Sequence, residues 1–183
     1  MERMILDARR STERWGWAFA LWGVAFYVAM LWAAWKPTPA AWPVTMACAA
    51  ALTGVIGLRN RGQQPATTMG WAIKSIWAGS SISMFVVFLA LGFTGRLDAH
   101  SFIAVAAAML GAANAASGMI CKWKAQMGCA LVWWAVSVAA CFGSSRELFA
   151  LFLAAIFFCQ IVFGVYVTMC ESQRLRRSGA AHA

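Results

Sequence analysis

Six stretches of the chain run without a charged side chain or a histidine: Trp15 to Trp35, Ala41 to Leu58, Ser75 to Phe93, Ser101 to Ile120, Gln126 to Gly143 and Leu148 to Met169. Each holds about 18 to 22 residues. About 20 apolar residues suffice for a helix to cross a bilayer, and a helix satisfies its own backbone groups where no water is present. The pattern predicts an all-α, polytopic membrane protein with six transmembrane helices arranged as three helical hairpins. Punctuation between the stretches agrees. Lys36-Pro37-Thr38-Pro39 and Pro43 read as a tight turn, because proline removes helix donors and restricts the residue before it. Ser144 and Glu147 have capping-box spacing just ahead of the last stretch. Arg59 to Thr68 reads as a polar connecting loop.

Residues 1–14 form a leader whose Met1, Met4, Ile5 and Ala8 share one helical face, as in a short helix lying in the membrane interface or a solvated end. Residues 15–170 make a single six-helix transmembrane domain, and residues 171–183 a basic tail. The first apolar stretch is longer than the roughly 7–15 residues of a secretory signal, and its leader carries Glu2, Asp7 and Glu13.

Composition removes the competing classes. Of the 183 residues 62% are apolar, against roughly 45–50% in soluble domains, and long apolar runs exclude disorder. A net charge of +9 would suggest nucleic acid in a soluble chain, but the positions of the charges argue otherwise. Arg3, Arg9, Arg10 and Arg14 precede the first stretch; Arg59, Arg61 and Lys74 follow the second; Lys122 and Lys124 follow the fourth; Arg174, Arg176 and Arg177 end the chain. The alternate connections hold only Lys36, Arg96 and Arg146. The positive-inside rule then puts both termini in the cytoplasm. The expected partners are the bilayer itself and anionic lipid headgroups at the cytoplasmic face, with a homo-oligomer or a membrane partner protein beside them and no nucleic acid. Small size and simple topology suggest the inner membrane of a bacterium.

A threefold repeat is faintly visible. Gly16-Trp17-Ala18-Phe19, Gly70-Trp71-Ala72-Ile73 and Gly128-Cys129-Ala130-Leu131 open the odd spans, and glycines at 54, 118 and 164 punctuate the even ones. With Phe163-Gly164-Val165-Tyr166 followed by Arg174-Leu175-Arg176-Arg177, the chain resembles the small HdeD-type bacterial membrane proteins. That resemblance is one of architecture and implies three tandem hairpins and a basic inner tail. It carries over no catalytic residue.

Candidate chemistry is sparse. Ion-coupled carriers usually place an ionisable residue inside the bundle, and no span holds one. His100 sits in an outer loop with Asp98, and His182 near the end; with Glu147 they fall short of a zinc set, so no metal and no cofactor is expected. Cys48, Cys121, Cys129, Cys141, Cys159 and Cys170 show no Cys-x-x-Cys spacing and read as small apolar residues. Asn114 and Gln160 are the carboxamides well inside the spans. They glue helices together or line a cavity. Ser75, Gly79 and Ser83 recur every four residues in the third span, and Ala107, Gly111 and Ala115 in the fourth. Such small faces let helices approach closely, so the two spans are expected to touch along them. Among eleven tryptophans, most fit the interfacial belts, whereas Trp22, Trp77, Trp133 and Trp134 lie deeper at matching depths, as packing residues or as a shared aromatic pocket.

Serines without a base do not make a nucleophile, so an enzyme is not expected. The preferred reading is a small, non-catalytic integral membrane protein that acts through helix packing with partner proteins or lipid. The alternative is a small-molecule transporter or substrate-binding membrane subunit, since size, six spans and inner termini are similar to the substrate-binding subunits of energy-coupling vitamin importers.

Overall fold

A computed structural model describes residues 12, 15–36, 38, 40–59 and 68–180. The described residues are helical and contain no strand. In chain order the helices are α1 (Gly16–Trp35), α2 (Ala41–Arg59), α3 (Thr68–Phe93), α4 (Ala99–Ile120), α5 (Lys124–Ala139) and α6 (Ser145–Ile156). From α6 the chain continues through a π-helical turn, Phe157–Val162, into α7 (Phe163–Ala180). Five helices are long and apolar enough to cross a membrane: α1, α2, α3, α4 and the continuous helix Arg146–Gln173. This is the make-up of a multi-pass membrane protein. The expected leader helix, the polar loop after Arg59 and His182 lie outside the described residues, Thr12 excepted.

Three boundaries depart from the apolar pattern. Helix α3 starts at Thr68 rather than Ser75 and so takes in Lys74, which is exposed; a lysine near a helix end keeps its stem on apolar surface and its ammonium in the polar interface. Helix α5 ends at Ala139 instead of Gly143, giving 16 residues and about 24 Å of length. The last helix runs on to Ala180, through the segment read as a tail.

Local chemistry sets the ends. Asp98 caps α4: the Ser101 N–H donates to its Oδ1 at 2.8 Å, while the Asp98 N–H donates to Ser101 Oγ at 3.1 Å. The Ser101 hydroxyl beside it, and then that N–H, hold the Asp98 carboxyl below the usual carboxylate range. The Ser144–Glu147 pair closes from one side, with the Ser144 hydroxyl donating to Glu147 Oε2 at 2.7 Å and its N–H at 3.3 Å, and these bonds lower the Glu147 pKa.

Two helices stop in the same way. At the end of α3, Arg96 N–H reaches Leu91 O at 2.9 Å and Gly95 N–H reaches Gly92 O at 3.2 Å, with Gly95 at φ +66°. At the end of α4, Trp123 N–H reaches Gly118 O at 2.8 Å and Lys122 N–H reaches Met119 O at 3.3 Å. Both are Schellman stops, but the left-handed position at φ 47° is here a lysine. A left-handed backbone costs an L side chain about 1–2 kcal/mol. Lys122→Gly is therefore expected to raise unfolding stability by about 1 kcal/mol, seen as a higher thermal midpoint in detergent; an unchanged or lower midpoint would count against a strained turn.

The helices sort into two compact units. One holds α3, α4, α5 and α6 as far as Ala155. Its tightest pairing is α4 with α5 across the three-residue turn Cys121 to Trp123, a pair that the hairpin reading assigned to two different hairpins. The alanine- and glycine-rich face of α4 permits it. A Cβ at Gly118 would lie 3.1 Å from Met127 N, and one at Gly111 would enter the Trp134 ring. The Ser137 hydroxyl donates to Ala104 O at 2.9 Å farther along the same pair.

The other unit holds α1, α2 and the chain from Ile156 onward. Phe26 of α1 meets Trp42 of α2 edge-on, with ring centroids 5.8 Å apart. Against α7, α1 packs almost backbone to backbone. A Cβ at Gly164 would lie 2.7 Å from Ala20 N and 2.8 Å from Gly16 O, and one at Gly16 would lie 2.8 Å from Val167 Cγ1 and Thr168 Oγ1. Gly23 lies as closely on Ile161 of the π turn, and Phe19 sits edge-on to Phe163 at 5.5 Å.

Candidate functional site

The residues singled out by sequence fall in different places. Asn114 is fully buried in the α3–α6 unit, and Gln160, 4% exposed, lies in the π turn of the other. Asn114 does not bond across helices through its amide: Nδ2 donates to Leu110 O at 2.8 Å in its own helix. Hydrogen bonds that do join helices in this unit come from other residues, in roles the sequence did not indicate. Trp77 Nε1 donates to Ser117 Oγ at 3.1 Å. His100, expected in a solvated loop, has Nδ1 3.0 Å from Ala140 O; a carbonyl only accepts, so this nitrogen carries the proton.

The seam expected between α3 and α4 is not the one they use. Ser75, Gly79 and Ser83 are exposed, and a Cβ at Gly79 would meet nothing within 4 Å. Helix α3 meets α4 instead through Trp77 and through Phe88, which stacks on Phe102 at 4.7 Å. Gly111 faces α5 and is covered by Trp134. The physical reason is bulk: indole and phenyl rings on α3 fill the space over an alanine-rich helix better than hydroxyls do, and Trp77 also finds a hydrogen-bond acceptor there.

The four deep tryptophans are divided between the two units, Trp22 in one and Trp77, Trp133 and Trp134 in the other. Trp22 is half-buried in α1, Trp77 half-buried in α3, Trp134 40% exposed and Trp133 fully buried. Trp133 instead ends an aromatic relay. It meets Phe152 edge-on at 5.9 Å, Phe152 meets Phe102 at 6.2 Å, and Phe102 stacks on Phe88. An open apolar depression of about 500 Å³ is lined by Val28, Leu31, Trp32 and Trp35 of α1 alone, as suits an aromatic belt facing lipid.

The polar groups that stand out are buried and unmatched. Gln126 is fully buried with neither Oε1 nor Nε2 hydrogen-bonded, Asn114 Oδ1 has no donor, and Trp133 Nε1 has no acceptor. Gln126 escaped the sequence reading because it stands at the start of its span. Its spacing of four and seven to Ala130 and Trp133, both fully buried, was the available signal. Among the described residues no three of His, Cys, Asp and Glu are grouped to hold a metal ion, and the six cysteines are free thiols. What this region offers chemically is uncharged hydrogen bonding. No protein family, curated protein or solved structure compared with the chain matches it.

Proposed function

We propose that this chain is a non-catalytic inner-membrane protein of a bacterium, with six crossings in three helical hairpins and both ends in the cytoplasm, that acts by packing a helix face against a partner. The side-to-side imbalance of basic residues supports the orientation. One observation carries the partner reading. The glycine faces of Gly16, Gly23 and Gly164, and of Gly111 and Gly118, are occupied within their units, whereas Ser75, Gly79 and Ser83 present a close-packing face on α3 that is exposed among the described residues and that no helix of its own unit covers. Small residues at this spacing are what transmembrane helices use to meet. Lipid headgroups at the basic rim add affinity for the surface, not specificity.

Native mass spectrometry of gently extracted full-length protein tests the reading. The expected result is a second polypeptide, another copy or a different chain, that is lost in Gly79→Leu while the thermal midpoint is kept. A monomer that retains lipid only would overturn it. A monomer retaining a small polar molecule would favour the alternative of a transporter or substrate-binding subunit, for which the unmatched polar atoms of Asn114 and Gln126 are the supporting observation.

A further inference from the structure

Four of the unmatched buried polar atoms lie on one helix pair and in register. Gly118 abuts the backbone of Gln126 and Met127, and Gly111 abuts Trp134, so Asn114, between the two glycines on the same face of α4, stands level with Ala130 of α5. It is then about 6 Å along the axis from Gln126 and about 4.5 Å from Trp133 at 1.5 Å per residue, with both residues fully buried on α5. The inventory is two acceptors, Asn114 Oδ1 and Gln126 Oε1, and two donors, the Gln126 amide and the Trp133 indole N–H. A buried polar atom without a partner costs about 1–3 kcal/mol, and such atoms are rare in folded proteins. These four lie within about two turns of one helix pair.

We infer that the α4–α5 interface is a binding site for a small uncharged guest that both donates and accepts hydrogen bonds: water, or a polar solute of similar size. The chemistry selects neutrality. A charged guest would need a counter-charge, and the buried side chains along this seam are carboxamide, indole, hydroxyl and alkyl. It also selects dual character, because a pure acceptor leaves the carboxamide oxygens unmatched and a pure donor leaves the two N–H groups unmatched. Guests of this kind typically make about three bonds to otherwise orphaned groups. The site is independent of whether α3 meets a partner.

The test is carried out on the full-length protein in lipid nanodiscs with ¹⁵N-labelled tryptophan, the Trp133 indole signal being identified by its loss in Trp133→Phe. The expected result is a cross-peak from the Trp133 indole proton to a guest, at the water frequency if the guest is water and at carbon-bound frequencies of a non-protein molecule if it is a solute. Asn114→Leu and Gln126→Met are each expected to lose or strongly weaken that cross-peak. A wild-type indole proton that contacts protein protons alone overturns the inference, as does a guest cross-peak that survives both substitutions in folded protein. Since the first observation is made on wild-type protein, a variant that fails to fold does not remove the test.

Discussion

Gly164→Leu is expected to disrupt the packing of α1 on α7, at a cost of about 3 kcal/mol or more. Overpacking a core usually costs about 1–3 kcal/mol, because neighbouring side chains shift. Here the first carbon of any side chain already lies 2.7 Å from Ala20 N and 2.8 Å from Gly16 O, and backbone atoms inside a helix cannot swing away. The two helices must separate, and with them go the contacts of Gly16 with Val167 and of Phe19 with Phe163. Separation is costly in a bilayer, where close van der Waals packing holds helices together without a hydrophobic contribution from water. Gly111→Ala is the control for this argument. The atoms nearest its Cβ belong to the ring of Trp134, a side chain 40% exposed and able to move, so its expected cost is smaller. Thermal unfolding and gel filtration of the two variants in the same detergent check the order; equal midpoints would refute the backbone contact.

Trp133→Ala is expected to destabilise the α3–α6 unit by about 3–5 kcal/mol, the range for emptying a fully buried aromatic site. The loss is one of packing, because lipid is as apolar as the cavity left behind. Trp133 is completely buried and supports Phe152, which in turn meets Phe102, so the void removes contacts from the end of the relay inward. Trp134→Ala, one residue on, removes a side chain that is 40% exposed and is expected to cost much less. Comparing the two thermal midpoints tests the assignment, and similar losses would contradict it.

Much of the secondary structure was legible in the chain because lipid demands long uncharged runs, and those runs are visible without any neighbour. Six apolar stretches became the six helical segments, and the Ser144–Glu147 spacing marked a real helix start. The errors lie where a side chain has more than one physical option. Lys74 belongs to a helix although it is charged, because its stem is long enough to keep the charge at the interface. Lys122 stops a helix in a backbone conformation that usually calls for glycine, so no residue signal marked it. The Asp98–Ser101 box went unread because serine replaces the usual Glu or Gln at its third position.

The buried chemistry was less legible, and Gln126 and Asn114 show why. Asn114 was visible as a polar residue deep in a span, but whether its carboxamide bonds across helices or back to Leu110 depends on the distance to the neighbouring helix. Gln126 stood at the edge of a span, and its burial depends on α5 lying against Gly118.

Taken alone, the order of residues determined that this protein is helical, that it carries several helices fit to cross a membrane, and about where each begins, since these follow from solvation of each segment by itself. Tertiary structure decided which faces meet. It turned α4's glycines toward α5, left the serine stripe of α3 exposed among the described residues, and closed α1 onto α7. Those choices rest on steric fit between surfaces of nearly equal hydrophobicity, and such fit exists only once two helices are in contact.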